Sequence, residues 1–124
     1  MLTKVWTGTT PLRASAILTN AYVATATKST EDLSQIVLYV NFTIGSLTRA
    51  DMKIEFSNDD SNWYQEVSLA SVGSGAFTTN QLVRRFSASG NYRIALEAQD
   101  KYIRVSCIGV GTLTDSLMSV ELQV

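Results

Sequence analysis

The 124-residue sequence contains no histidine, one cysteine and one proline. Without histidine there is no imidazole base, no imidazole metal ligand and no imidazole pH switch. The Ser-His-Asp and Cys-His arrangements of nucleophilic catalysis are therefore excluded within this chain. A single cysteine excludes an internal disulfide and a multi-cysteine zinc site. Cys107 lies in the apolar run from Ile103 to Ile108, a setting that predicts a buried, inert thiol. Acidic and basic residues nearly balance, 11 against 10, so the basic face that phosphate neutralisation requires is missing and nucleic acid is not an expected partner. The one adjacent basic pair, Arg84-Arg85, reads as a solvated strand end. No apolar run approaches the length of a membrane-spanning helix. Thr7, Thr9, Thr10, Pro11 and Arg13 break the N-terminal segment, so it is not read as a signal peptide and cytoplasmic synthesis is expected.

Charge of either sign is sparse. Charged residues make up 17% of the chain, against about 25% in typical globular proteins. Fourteen serines and fourteen threonines take their place. Threonine is β-branched and suits a pleated surface. Hydroxyls also cost less to desolvate than charges, which suits a face covered by a neighbour.

What is present is alternation with period two, the signature of half-buried strands. From Ser34 to Ile44, the residues Ile36, Leu38, Val40, Phe42 and Ile44 fall on one face. Met52, Ile54 and Phe56 repeat the pattern, followed by the turn Asn58 to Asn62 and a return strand from Trp63 to Leu69. Ser71 to Gly75 reads as a flexible loop and Gln81 to Phe86 as a further strand. Tyr92, Ile94 and Leu96 alternate after Gly90, as do Ile103, Val105 and Cys107, and finally Met118, Val120, Leu122 and Val124. Ala14 to Thr27 holds one or two strands, and Thr30 to Leu33 suggests a short helical turn. The expectation is an all-β antiparallel sandwich, jelly-roll-like, with seven to nine strands. It occupies residues 14–124 as one domain, preceded by residues 1–13 as an N-terminal arm or edge strand.

Three local features carry candidate chemistry. The acidic turn Asp59-Asp60 offers oxygen ligands but lacks the order of a calcium loop, so it reads as an Asx-type turn and no metal is assigned. In the pair Trp63-Tyr64, Trp63 is expected in the core and Tyr64 on the surface. Glu55, Glu66 and Glu97 stand on separate strands, with no spacing that predicts the paired carboxylates of glycoside hydrolysis. No catalytic and no cofactor-binding residue is assigned.

Two family resemblances follow from these strings. The hairpin Ile54-Glu55-Phe56-Ser57-Asn58-Asp59 with Trp63, and the later Tyr102-Ile103-Arg104, resemble galactose-binding-like and discoidin jelly rolls. An alternative functional reading is a carbohydrate-binding module for host-surface glycans, for which the strand register offers Tyr39, Tyr64 and Tyr102 as outward rings. A second resemblance covers more of the chain. The strand Ile36 to Phe42, the Ser-Asn-Asp turn, Trp63-Tyr64, Gly90-Asn91-Tyr92-Arg93 and Tyr102-Ile103-Arg104-Val105 are similar to small β-sandwich virion proteins of tailed bacteriophages. It implies a non-enzymatic capsid decoration or cementing protein, or a small tail or neck component. Such a protein is made in the host cytoplasm, is located in the virion and contacts other virion subunits. A homo-oligomer, such as a trimer, fits this reading, with no membrane partner. The residues expected to make the contacts are Leu2, Val5, Trp6 and Leu12 on the arm, with Tyr64 on the sandwich.

Overall fold

A computed structural model describes residues 8–31, 33–98 and 100–123. All regular structure among them is β. In chain order the strands are β1 (Thr9–Ala16), β2 (Val23–Ala24), β3 (Lys28–Ser29), β4 (Gln35–Thr43), β5 (Leu47–Ser57), β6 (Tyr64–Gln65), β7 (Val67–Gly73), β8 (Ala76–Gln81), β9 (Arg84–Phe86), β10 (Gly90–Glu97), β11 (Tyr102–Gly111) and β12 (Leu117–Gln123). One sheet has the order β1-β12-β4-β10. The other has the order β2-β11-β5-β6, with β3 also on β11 and β9 also on β5. The strands β7 and β8 pair with each other as a separate hairpin.

The twelve strands among the described residues occupy eight positions in the two main layers, plus the hairpin. Both β2 and β3 lie along β11, opposite Cys107 and Ser106 and then Ile103 and Tyr102. Between them Thr25 bridges the gap: its amide donates to the Val105 carbonyl at 2.8 Å, and its hydroxyl accepts the Val105 amide at 3.2 Å. A side-chain oxygen thus satisfies a ladder donor that the interrupted strand leaves open. In the same way β6 and β9 share one edge of β5, at Glu55–Phe56 and at Ala50–Met52. With β2 and β3 counted as one position and β6 and β9 as another, the first position pairs the eighth, the second the seventh, the third the sixth and the fourth the fifth.

The core lies between the sheets, built from the alternating residues. Ile36, Leu38, Val40, Phe42, Ile54, Ile103, Val105, Val120 and Leu122 are buried. Phe56, Ile94 and Leu96, expected with them, are only partly buried and pack against the rim of the cluster. Phe86 joins Phe42 to Tyr92 through tilted ring contacts at 6.0 and 4.9 Å. Cys107 is buried in this core, and desolvation pushes its thiol up to about 11. The thiolate that reactivity requires is therefore scarce at neutral pH.

Several expectations are corrected. Leu12, expected as a contact residue on an external arm, is 5% exposed and belongs to the core. The cause is a bulge. Along β12, Pro11 faces Glu121 and Arg13 faces Val120, so Leu12 is the extra residue and its side chain is re-aimed inward. Residues 9–13 are therefore part of the sandwich, in keeping with the edge-strand alternative rather than the arm, and among the described residues Pro11 sits in an edge strand, where its missing amide is tolerated. Thr30 to Leu33 forms no helix among the described residues, only a turn in which the Leu33 amide donates to the Thr30 carbonyl at 3.1 Å. The segment Ser71 to Gly75 is not a flexible loop; it is the end and turn of the β7–β8 hairpin. Leu2, Val5 and Trp6 lie outside the described residues.

Candidate functional site

Three surfaces among the described residues stand out for their polar or exposed apolar groups. The first is the outer face of β5 and β11. Glu55 faces Arg104 across the strand pair, with an ion pair at 3.1 Å, and accepts the Ser106 hydroxyl at 2.6 Å. Trp63 stacks on the Arg104 guanidinium at 4.3 Å. Further along, buried Asp51 pairs with Arg85 at 2.9 Å and with Arg49 at 3.3 Å. Lys53 Nζ lies 3.9 Å from the centroid of the Tyr22 ring. Alternation makes Lys53, Glu55, Arg104 and Ser106 the outward residues, and cross-strand pairing then matches opposite charges. Guanidinium groups hold both carboxylates, Glu55 and Asp51, in ion pairs.

Trp63 therefore sits on the outer, polar face, half-buried under Arg104 rather than in the core. Tyr64, opposite Phe56 on the inner side at the sheet edge, is 70% exposed, as expected of a surface residue. Tyr39 belongs to the four-stranded sheet and Tyr102 to the six-stranded one. The three tyrosines do not share a face, so they form no stacking platform for a sugar.

The second surface is the turn after β5. The Ser57 hydroxyl accepts the amides of Asp59 and Asp60 at 3.2 and 2.9 Å and donates to Asp59 Oδ1 at 3.0 Å. Asp59 accepts the amides of Ser61 and Asn62 at 3.0 and 2.8 Å, and the Asn62 side-chain amide at 2.7 Å. The turn's own donors thus surround this carboxylate. They hold its pKa far below the usual range, the Asn62 amide having the largest effect. A depressed folded pKa contributes stability that is complete above the unfolded value, about 3.9, and is lost as pH falls below it. The Ser61 and Asn62 amide resonances are accordingly expected to hold their positions down to about pH 4 and to move only in stronger acid. A midpoint in the ordinary aspartate range would contradict this geometry.

A cleft of about 340 Å³ opens between the sheets, lined by Phe56, Leu96, Glu66, Glu97 and Asp100. Arg84 approaches Glu66 to 3.6 Å. Among the described residues no group of three or more Asp, Glu or Cys side chains has metal-holding geometry.

The third surface is the β7–β8 hairpin, which the sequence reading missed. It interrupts the strand that runs along the edge of β5. After Gln65 the chain leaves the sheet, and at Arg84 it returns. The base is closed by the Leu82 amide on the Glu66 carbonyl at 3.1 Å and by the Arg84–Glu66 pair. The tip is the two-residue turn Ser74-Gly75, with φ of +52° and +74°, the positive values that tight hairpin turns require. The paired residues Val67 and Gln81, Leu69 and Thr79, and Ser71 and Phe77 share one face. Leu69 is 67% and Phe77 63% exposed, and Val67 and Val72 are exposed too. From Val67 to Val83 the sequence has no charged residue. At about 3.3 Å per residue, the seven residues of β7 reach roughly 20 Å.

No protein-family model, curated protein or solved structure matches this chain.

Proposed function

We propose that this chain is a non-enzymatic virion structural protein, a capsid decoration or cementing protein that binds neighbouring virion subunits. One observation carries the reading: an uncharged hairpin with exposed Val67, Leu69 and Phe77 on one face, clamped at its base to a sandwich that has its own core. An exposed apolar face of this kind marks a contact surface. A two-stranded hairpin is marginal in water unless something packs on it. The nested strand pairing supports a jelly-roll description of the sandwich, and the resemblance to phage virion proteins supplies the setting. The arm residues Leu2, Val5 and Trp6 are a second proposed contact, and Tyr64 lies at the hairpin's root as a third. In this role each copy bridges subunits by burial, and repeated copies add avidity.

Attachment through an uncharged surface is expected to resist salt. Particles carrying this chain, banded in density gradients at about 0.05 M and about 1 M salt, should retain the same number of copies, because screening weakens only charged contacts. Failure of the chain to band with particles at either salt concentration would overturn the virion assignment, and release at high salt would overturn the hairpin as the attachment surface.

A further inference from the structure

The apolar face of the hairpin has been assigned above to neighbouring subunits. Its edges are a separate feature. Among the described residues each of β7 and β8 has one hydrogen-bonded neighbour, the other strand of the hairpin, so none of them covers the row of amides and carbonyls on its far side. Proteins usually blunt such an edge with charge, proline or a bulge. The hairpin has neither charge nor proline. It has one bulge, and the bulge is on β7: Ser71 faces Phe77 and Gly73 faces Ala76, so Val72 is the extra residue. The edge of β7 is thus disrupted near the tip, whereas β8, from Ala76 to Gln81, pairs without interruption and is left open.

The chemistry of β8 favours a particular occupant. Its polar residues are Thr78, Thr79, Asn80 and Gln81. Hydroxyl and amide side chains are donors and acceptors at once, so a residue of this type can pair with its own copy. A charged residue set against its own copy would be repelled, and one facing a foreign partner would call for a complementary charge. The chain has 21 charged residues, and none falls between Val67 and Val83. A two-fold axis also pairs a strand with itself in antiparallel fashion, the isologous arrangement of most dimers.

We propose that β8 pairs antiparallel with β8 of a second copy of this chain, joining two hairpins into a four-stranded intermolecular sheet. A two-fold axis perpendicular to that sheet, near Thr78 or Thr79, keeps Val67, Leu69 and Phe77 of both copies on one face. The seam uses the edge and leaves that face for the virion neighbour. The proposal concerns the purified chain alone and stands whether or not the virion assignment does.

The test uses the full chain in sedimentation velocity and a cysteine scan. The native chain is expected to sediment as a dimer. Thr79→Lys and Thr79→Glu are each expected to raise the dimer dissociation constant by at least about tenfold. Mixing the two variants is expected to restore dimers, because opposite charges then meet across the axis. Thr79→Cys should form a disulfide-linked dimer under mild oxidation faster than Ser68→Cys on β7, with buried Cys107 silent in both. A monomeric native chain would overturn the proposal. A dimer in which Thr79→Cys links no faster than Ser68→Cys, or in which the lysine and glutamate variants associate as the native chain does, would overturn the β8 seam.

Discussion

Replacing Phe42 with alanine is expected to cost about 3–5 kcal/mol, the range for removing a fully buried phenylalanine. Phe42 is buried on β4, where its ring meets Phe86, which in turn meets Tyr92. Its loss removes the transfer energy of the ring and leaves a cavity between two sheets whose backbones are fixed by ladders on both sides. Total stability of domains is about 5–15 kcal/mol, so this single change takes a large share. The melting temperature should fall by roughly 10–20 °C for a chain of this length. Leu69→Ala removes a comparable apolar side chain from a site that is 67% exposed, and its cost should stay within about 0.5 kcal/mol. Thermal or urea unfolding of the two variants side by side checks the assignment. Equal effects would mean that one of the two positions is misplaced.

The alternating strands were legible because a period of two leaves one register that buries the apolar set. Ile36 to Phe42, Met52 to Phe56 and Ile103 to Cys107 follow it directly. Outward-facing Glu55 and Arg104 were legible for the same reason, though their pairing needed the strand register. Leu12 was not legible. A bulge reverses the face of a residue, and nothing in the Thr-rich flank around Pro11 marks one. Trp63 was misplaced, lying against Arg104 rather than in the core, because the five residues of the preceding turn set the register and composition does not determine it. The hairpin was hidden by its own chemistry. Gly73-Ser74-Gly75 has the composition of a loop, and small residues such as Ala70, Ser71 and Ala76 dilute the alternation of Val67, Leu69, Phe77 and Thr79. The Ser74-Gly75 dipeptide was the available signal, since such pairs mark tight turns. The candidate contact surface thus lay where local patterning is weakest, on a segment with little core to bury.

Excising Val67 to Gln81 is expected to leave a folded sandwich that no longer joins its particle. The ends to be joined are already adjacent, with the Leu82 amide on the Glu66 carbonyl, so a short glycine linker closes the gap. Both β6 and β9 keep their places on β5, and the core contains no residue of β7 or β8. Exposed aromatic and aliphatic anchors at an interface contribute about 2 kcal/mol or more each when they dominate it. Loss of Leu69 and Phe77 together should therefore lower occupancy by at least about tenfold. The decisive measurement is the copy number of this chain per purified particle, native against hairpin-excised, with both proteins first shown to melt within a few degrees of each other. The account predicts a fixed copy number for the native chain and a loss of at least about tenfold for the excised one. An excised chain that remains folded and is present at the native copy number would contradict it.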